Sequence, residues 1–94
     1  MELHVKRDHS SEGQYPERAR MLISCPDGPG IVAAVSHFLY QHGANIVQSD
    51  QYTMDPDGGM FFMRVEFDLP GLEERLEEVR TIFGGVAERF KMNW

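Results

Sequence analysis

Asp27-Gly28-Pro29-Gly30-Ile31 sets one carboxylate, two glycines and a proline directly ahead of an apolar run with helical spacing. The first amides of a helix lack partners within it, and the helix dipole there favours an anion such as the carboxylate of a small amino acid. Gly30 has no Cβ, so a ligand or another backbone can approach it closely. Asp27 can cap those amides or accept hydrogen bonds from an ammonium group. On local chemistry alone the plain use, Asp27 as a cap and Gly30 as a turn residue, is the commoner one.

Other reactive groups have a weaker pattern. His37 and His42 stand five apart, so they do not stack on one helical face as a metal pair. His4 and His9 lie in a polar stretch and read as solvated. Cys25 has no second thiol and no histidine at a local spacing that pairs a nucleophile with a base, so it reads as a packing residue. Nucleophile-elbow, zinc-protease and P-loop motifs are absent. Asp55 and Asp57 beside Gly58-Gly59 lack the remaining ligands of a calcium loop and read as turn chemistry. Glu73, Glu74, Glu77 and Glu78 read as a solvated helix face offset by Arg75 and Arg80.

These residues need a scaffold, and the apolar pattern supplies one. Arg20–Cys25 is a short apolar run stopped by Pro26, which predicts a strand. Ile31, Val32, Val35, Phe38 and Leu39 form one stripe of a helix over 31–42, with Gly43 as its terminator. Residues 45–53 are rich in strand formers, and 55–59 predict a hairpin turn. Met60–Leu69 alternates cleanly, with Phe61, Met63, Val65 and Phe67 on one face and Phe62, Arg64, Glu66 and Asp68 on the other. Leu72, Leu76, Val79 and Phe83 predict a second helix ending at Gly84-Gly85, and residues 86–94 predict a last strand. The order βαββαβ makes an α+β fold, a ferredoxin-like four-stranded antiparallel sheet with two helices on one face. Counting these four strands in chain order, the expected sheet order is 2-3-1-4. Residues 1–17 carry charge, Ser, Gly and Pro without an apolar period, and predict a flexible arm, with a weak alternation at Leu3 and Val5 leaving room for a short edge strand.

Composition bounds the partners. The chain has 94 residues, 9 basic against 15 acidic, and a formal charge of −6. That balance argues against nucleic acid and against an anionic membrane surface. No apolar run approaches the roughly 20 residues of a membrane span, and none near Met1 resembles a signal peptide. The single cysteine suits a reducing, cytoplasmic setting. A domain this small gains stability by pairing, so a homo-oligomer, at least a two-fold dimer, is expected, either edge to edge, for which the unpaired sheet edges are templates, or face to face through sheet or helices.

The stretch SCPDGPGIVAAVSHFLYQHGANIVQSDQ, residues 24–51, resembles the opening of an ACT domain, a small amino-acid-sensing regulatory module. Together with FFMRVEF at 61–67 and AERF-K-M-N-W at 87–94, it is similar to the N-terminal domain of the formyltetrahydrofolate deformylase family, over residues 19 to 94. The resemblance implies an ACT regulatory domain over 18–94. It implies a small amino acid as effector, such as glycine or methionine, held where the loop of one subunit meets its neighbour. By position, the implied ligand-binding residues are Asp27, Gly28, Pro29, Gly30, Ile31, Asn45 and Ile46, with Asn45 reaching from the neighbouring chain. Gly28 stands where many relatives carry Arg or Lys, and Cys25 where some carry a polar or imidazole contact. The family's hydrolysis of 10-formyltetrahydrofolate to formate and tetrahydrofolate belongs to a following formyltransferase-like domain, which the resemblance implies as a C-terminal partner absent from this chain. No catalytic residue, metal or cofactor is expected within these 94 residues, and no enzyme activity from them alone. Two alternatives carry the same fold: a dimerisation domain of that enzyme without sensing, and a stand-alone regulator related to glycine cleavage repressors.

Overall fold

A computed structural model of the chain describes residues 2–6, 17–54 and 59–94. Its elements in chain order are β1 (Glu2–Lys6), β2 (Glu17–Pro26), α1 (Ile31–Gln41), β3 (Asn45–Met54), β4 (Met60–Leu69) and α2 (Leu72–Phe90). The sheet is antiparallel with order β1-β2-β4-β3.

Alternation in β2 and β4 builds the core. Ala19, Met21, Ile23 and Cys25 from β2 are buried on the same face as Phe61, Met63, Val65, Phe67 and Leu69 from β4. Both helices cover that face. α1 contributes Ile31, Val35, Phe38 and Leu39, and α2 contributes Leu72, Val79, Phe83 and Ala87. Phe83 is fully buried and meets Phe38 and Trp94 edge-on at 5.0 and 4.9 Å, a geometry that adds about 0.5–1.5 kcal/mol per pair beyond the area removed from water. Val32, expected on the α1 stripe, is 37% exposed instead.

α1 ends as its glycine predicts. Gly43 has φ 81, and the amides of Gly43 and Ala44 donate to the carbonyls of Tyr40 and Leu39. The α2 end differs from the sequence expectation. Its helix passes through Gly84-Gly85 and stops only at Phe90, so the predicted strand over 86–94 is helical for its first five residues. The buried stripe Val79, Phe83, Ala87 continues at four-residue spacing across the glycine pair, and this packing outweighs roughly 1 kcal/mol per glycine of lost helix propensity. Lys91 then turns the chain at φ 57, with the Met92 amide donating to the Ala87 carbonyl. Of the predicted fourth strand only a bridge remains, Asn93 opposite Ser24.

The expected order 2-3-1-4 is corrected accordingly. Predicted strands 45–53, 60–69 and 20–25 are neighbours in that sequence, as β3, β4 and β2. The remaining edge is held by β1. Residues 2–6 of the expected arm therefore lie in the sheet, whereas the rest of the arm over 7–16 lies outside the described residues, as does most of the predicted turn at 55–59, with Asp55 and Asp57.

Candidate functional site

The loop between β2 and α1 is tied at both ends. The Asp27 amide donates to the Gly59 carbonyl at 3.0 Å, fixing the loop against the start of β4. At the other end the Gly30 carbonyl accepts the Ala34 amide at 3.0 Å, closing the first turn of α1, and Ile31 anchors that turn in the core at 2% exposure. Gly30 has φ 85 and ψ 0. A Cβ added there would meet nothing within 4 Å, so the glycine is required by its left-handed backbone and not by crowding within the chain.

Asp27 does not cap α1. The helix begins without a side-chain cap and with no acidic residue in its first turn, and Asp27, Gly28, Pro29 and Gly30 are all exposed. A carboxylate, an open glycine and the positive end of a helix dipole thus share one solvent-facing corner. Cys25 takes no part in it. Its side chain is fully buried, and its thiol pKa is pushed up by burial first and by the nearby Asp27 carboxylate second, which removes it both as a nucleophile and as a ligand contact.

Asn45 and Ile46 open β3 at the far end of the sheet. Asn45 lies opposite Asp68, and Asp68 opposite Arg18, whereas the loop follows Pro26, which lies opposite Met60. Eight residue steps along β4 separate the two rows, about 27 Å at the rise of a strand. Within one chain, therefore, residues 27–31 are together, and Asn45 and Ile46 are not with them. The Asp68 carboxylate beside Asn45 is already engaged, accepting from Arg18 Nε at 2.7 Å and Nη2 at 3.1 Å. This pair holds the Arg18 guanidinium further in its charged form.

The strand over 45–54 lies at a sheet edge, as the expected order has it, whereas its full exposure and a hollow on the sheet escaped sequence reasoning. All ten residues of β3 are exposed, and Ile46, Val47, Tyr52 and Met54 present apolar surface. Its outer edge has no strand neighbour among the described residues. The face of the sheet away from the helices also holds a hollow of about 550 Å3, lined in part by Leu22, Gln48, Asp50, Tyr52, Phe62 and Arg64. Tyr52 and Phe62 stack there at 5.2 Å, and Arg64 pairs with Asp50 at 3.0 Å. Phe62 on the otherwise polar face of β4 was the available signal. Among the described residues no cluster of three His, Cys, Asp or Glu could hold a metal ion, and no helix is long and apolar enough to cross a membrane.

Residues 19–84 match the family model of the ACT domain. The chain belongs to the ACT domain family. It is 55% identical over 78 residues to the formyltetrahydrofolate deformylase of Bacillus subtilis, covering 83% of this chain and 26% of that protein. The formyltetrahydrofolate deformylase of Mycobacterium tuberculosis is 46% identical over 76 residues, 80% of this chain and 24% of its own length. The crystal structure of the Burkholderia mallei formyltetrahydrofolate deformylase superposes with a TM-score of 0.73 at 32% identity, covering 82% of this chain and 26% of that one. The chain thus spans about a quarter of the length of the curated relatives it matches.

Proposed function

We propose that this chain is the regulatory ACT domain of a formyltetrahydrofolate deformylase, and that it senses a small amino acid at a site completed by a second subunit. The parent protein hydrolyses 10-formyltetrahydrofolate to formate and tetrahydrofolate in the cytoplasm, in a catalytic domain that follows residues 18–94. These residues supply no catalytic group or cofactor. The observation that carries the reading is the 55% identity to a deformylase over 83% of the chain.

Pairing between copies is supported by β3, a ten-residue strand with an open edge and one charge, Asp50. Such an edge is a template for another strand. A full antiparallel overlap of two β3 strands about a two-fold axis sets Asn45 of one copy opposite Met54 of the other. Met54 lies in the row of Met60, which is also the row of Pro26. Asn45 then stands at the loop end of the second copy, three strand spacings or about 14 Å across the sheet from the end of β2. α1 packs on the β3 side and α2 on the β2 side, so the loop leads from Asp27 toward that edge and shortens the gap. Glycine or methionine would place its carboxylate at the amides opening α1 and its ammonium group near Asp27. A ligand held between subunits biases their arrangement by binding one arrangement better.

Isothermal titration of the 94-residue chain with glycine and with methionine tests the sensing. Saturable heat, lost in Asp27→Ala and in Asn45→Ala, is expected; silence with both at millimolar concentration overturns it. The pairing is tested by sedimentation at micromolar concentration. A dimer is expected that Val47→Lys converts to monomer, because Val47 is 40% exposed on β3 and the change spares the core. A second reading, pairing without sensing, draws support from the complete burial of Cys25 and from Gly28 at a position where related domains carry a cation. A tight dimer with no heat would select it.

A further inference from the structure

The face of the sheet away from the helices carries two kinds of cross-strand row. Toward one end Arg18 lies opposite Asp68 and Arg20 opposite Glu66, rows of charge alone. Toward the other, Tyr52 lies opposite Phe62 and, two residues along, Asp50 lies opposite Arg64. These last four residues line the hollow of about 550 Å3, a size within the range of small-molecule sites. The two rings stack at 5.2 Å with 18° between their planes, and Tyr52 is 59% exposed, so ring surface is open to solvent. Cross-strand pairs help to hold a sheet together, but charge alone meets that need at the other end. The polar row has capacity to spare. Asp50 accepts from Arg64 Nη2 at 3.0 Å and from Gln48 Nε2 at 3.3 Å, both at Oδ2. The Arg64 and Asp50 side chains are 45% and 56% exposed. An ion pair so exposed adds little stability by itself, so exchanging it for hydrogen bonds to a ligand costs little.

We propose that this hollow binds a flat heterocycle whose edge carries a ring N–H, an exocyclic amino group and a carbonyl, the lactam–amidine edge that pterins and guanine share. The Tyr52–Phe62 pair supplies ring surface for stacking. An ionised carboxylate only accepts hydrogen bonds, and its two oxygens match the adjacent N–H and amino donors. A guanidinium only donates, and matches the carbonyl beside them. Asp50 and Arg64 present these groups side by side, about 7 Å along the strands from the stacked row, which suits a fused two-ring system. Adenine fits less well, because it sets a ring acceptor beside its one amino group and turns that lone pair toward the Asp50 carboxylate. The formal charge of −6 disfavours a polyanionic strand carrying such rings, so the ligand is a single small molecule. The ring class rests on these four residues alone. A pterin as its natural source rests on the deformylase reading above, because a folate carries that ring.

Isothermal titration of the 94-residue chain tests this with two matched pairs of probes. Folic acid is set against p-aminobenzoylglutamate, the same molecule without its pterin, and guanosine monophosphate against adenosine monophosphate. At least one pair should show its first member binding about tenfold tighter or more, the discrimination expected of one bidentate contact. Asp50→Asn should abolish that difference, and Tyr52→Ala should weaken the binding of the preferred ring. Both positions are exposed, so the core is untouched. Amide chemical shifts locate the ligand without any substitution: the preferred probe should move residues 48–52 and 62–64 and leave 27–31 in place. Silence of both first members at millimolar concentration overturns the proposal. So do equal affinities within both pairs, a preference that survives Asp50→Asn, or shifts centred on 27–31. Folic acid binding more tightly than guanosine monophosphate assigns the site to pterins. The reverse order upholds the ring class and withdraws only the source taken from the deformylase reading.

Discussion

Replacing Gly30 separates two reasons for a glycine at the head of α1. A Cβ at this position meets nothing within 4 Å, so no neighbour has to move. The cost comes from φ 85, where a side chain crowds its own backbone by roughly 1–2 kcal/mol. Alanine also narrows the unfolded ensemble, which returns about 0.4–1 kcal/mol. The expected net loss for Gly30→Ala is about 1 kcal/mol, or a fall in Tm of about 4–8 °C for a domain of this size. Gly30→Asn should lose less, since asparagine tolerates the left-handed region, and Gly30→Val more, since a β-branched side chain does not. Urea titration is the assay, with an unchanged slope showing that the native state alone is affected. An alanine variant as stable as the parent would refute the reasoning, because it would mean that Gly30 does not hold a positive φ in solution. Amino-acid titration of the same variants then asks a separate question. A ligand that needs close approach to the backbone should be lost in Gly30→Ala even at temperatures where the variant is fully folded.

Three further predictions concern the scaffold. Gly85 is exposed within α2, its φ is not positive and its added Cβ meets nothing, so Gly85→Ala should raise stability by about 0.5–1 kcal/mol in urea titration. Arg75 donates to the His42 carbonyl at 3.2 Å and stands 3.2 Å from His42 Nδ1, clamping the negative end of α1; Arg75→Ala should cost about 1–2 kcal/mol by the same assay. The raised Cys25 pKa sets a sign for alkaline behaviour. The unfolded thiol ionises first, near its ordinary value of 9.0, so stability contributed by the neutral buried thiol is full below that pH and is lost as pH rises through the folded value. The stability of Cys25→Ala relative to the parent, followed by urea titration from pH 7 to 10.5, should therefore improve above about pH 9, and a difference independent of pH would contradict it.

Sequence reading succeeded where one local signal acted alone. The alternation of Met60–Leu69 gave a strand with those bounds, and the apolar stripe with Gly43 gave α1 nearly to the residue. It failed where two signals competed. Gly84-Gly85 reads as a stop, yet Val79, Phe83 and Ala87 carry one buried stripe through it, and only the position of the sheet beneath reveals which wins. The site divides in the same way. The composition of the Asp27–Ile31 loop exposes its chemistry, but whether Gly30 serves close approach or backbone sign depends on φ. That Asn45 sits about 27 Å from that loop follows from strand register, which no local pattern encodes.

The misread end of α2 and the unexpected β1 are two sides of one constraint. β2 is the central strand against which β4 pairs, and an unpaired second edge would leave a row of backbone amides and carbonyls open to any passing strand. Once packing carries α2 to Phe90, residues 86–90 are spent in the helix, and the chain returns to the sheet only at Asn93. The edge is then completed by the weakly alternating Glu2–Lys6. Core burial thus decides the helix length, and the helix length decides which segment closes the sheet. The same chain of cause explains why the loop at 27–31 is unaffected. Its position depends on Pro26, Gly59 and Ile31, held by β2, by the start of β4 and by α1, so the candidate ligand corner keeps its shape independently of the segment that closes the β1 edge.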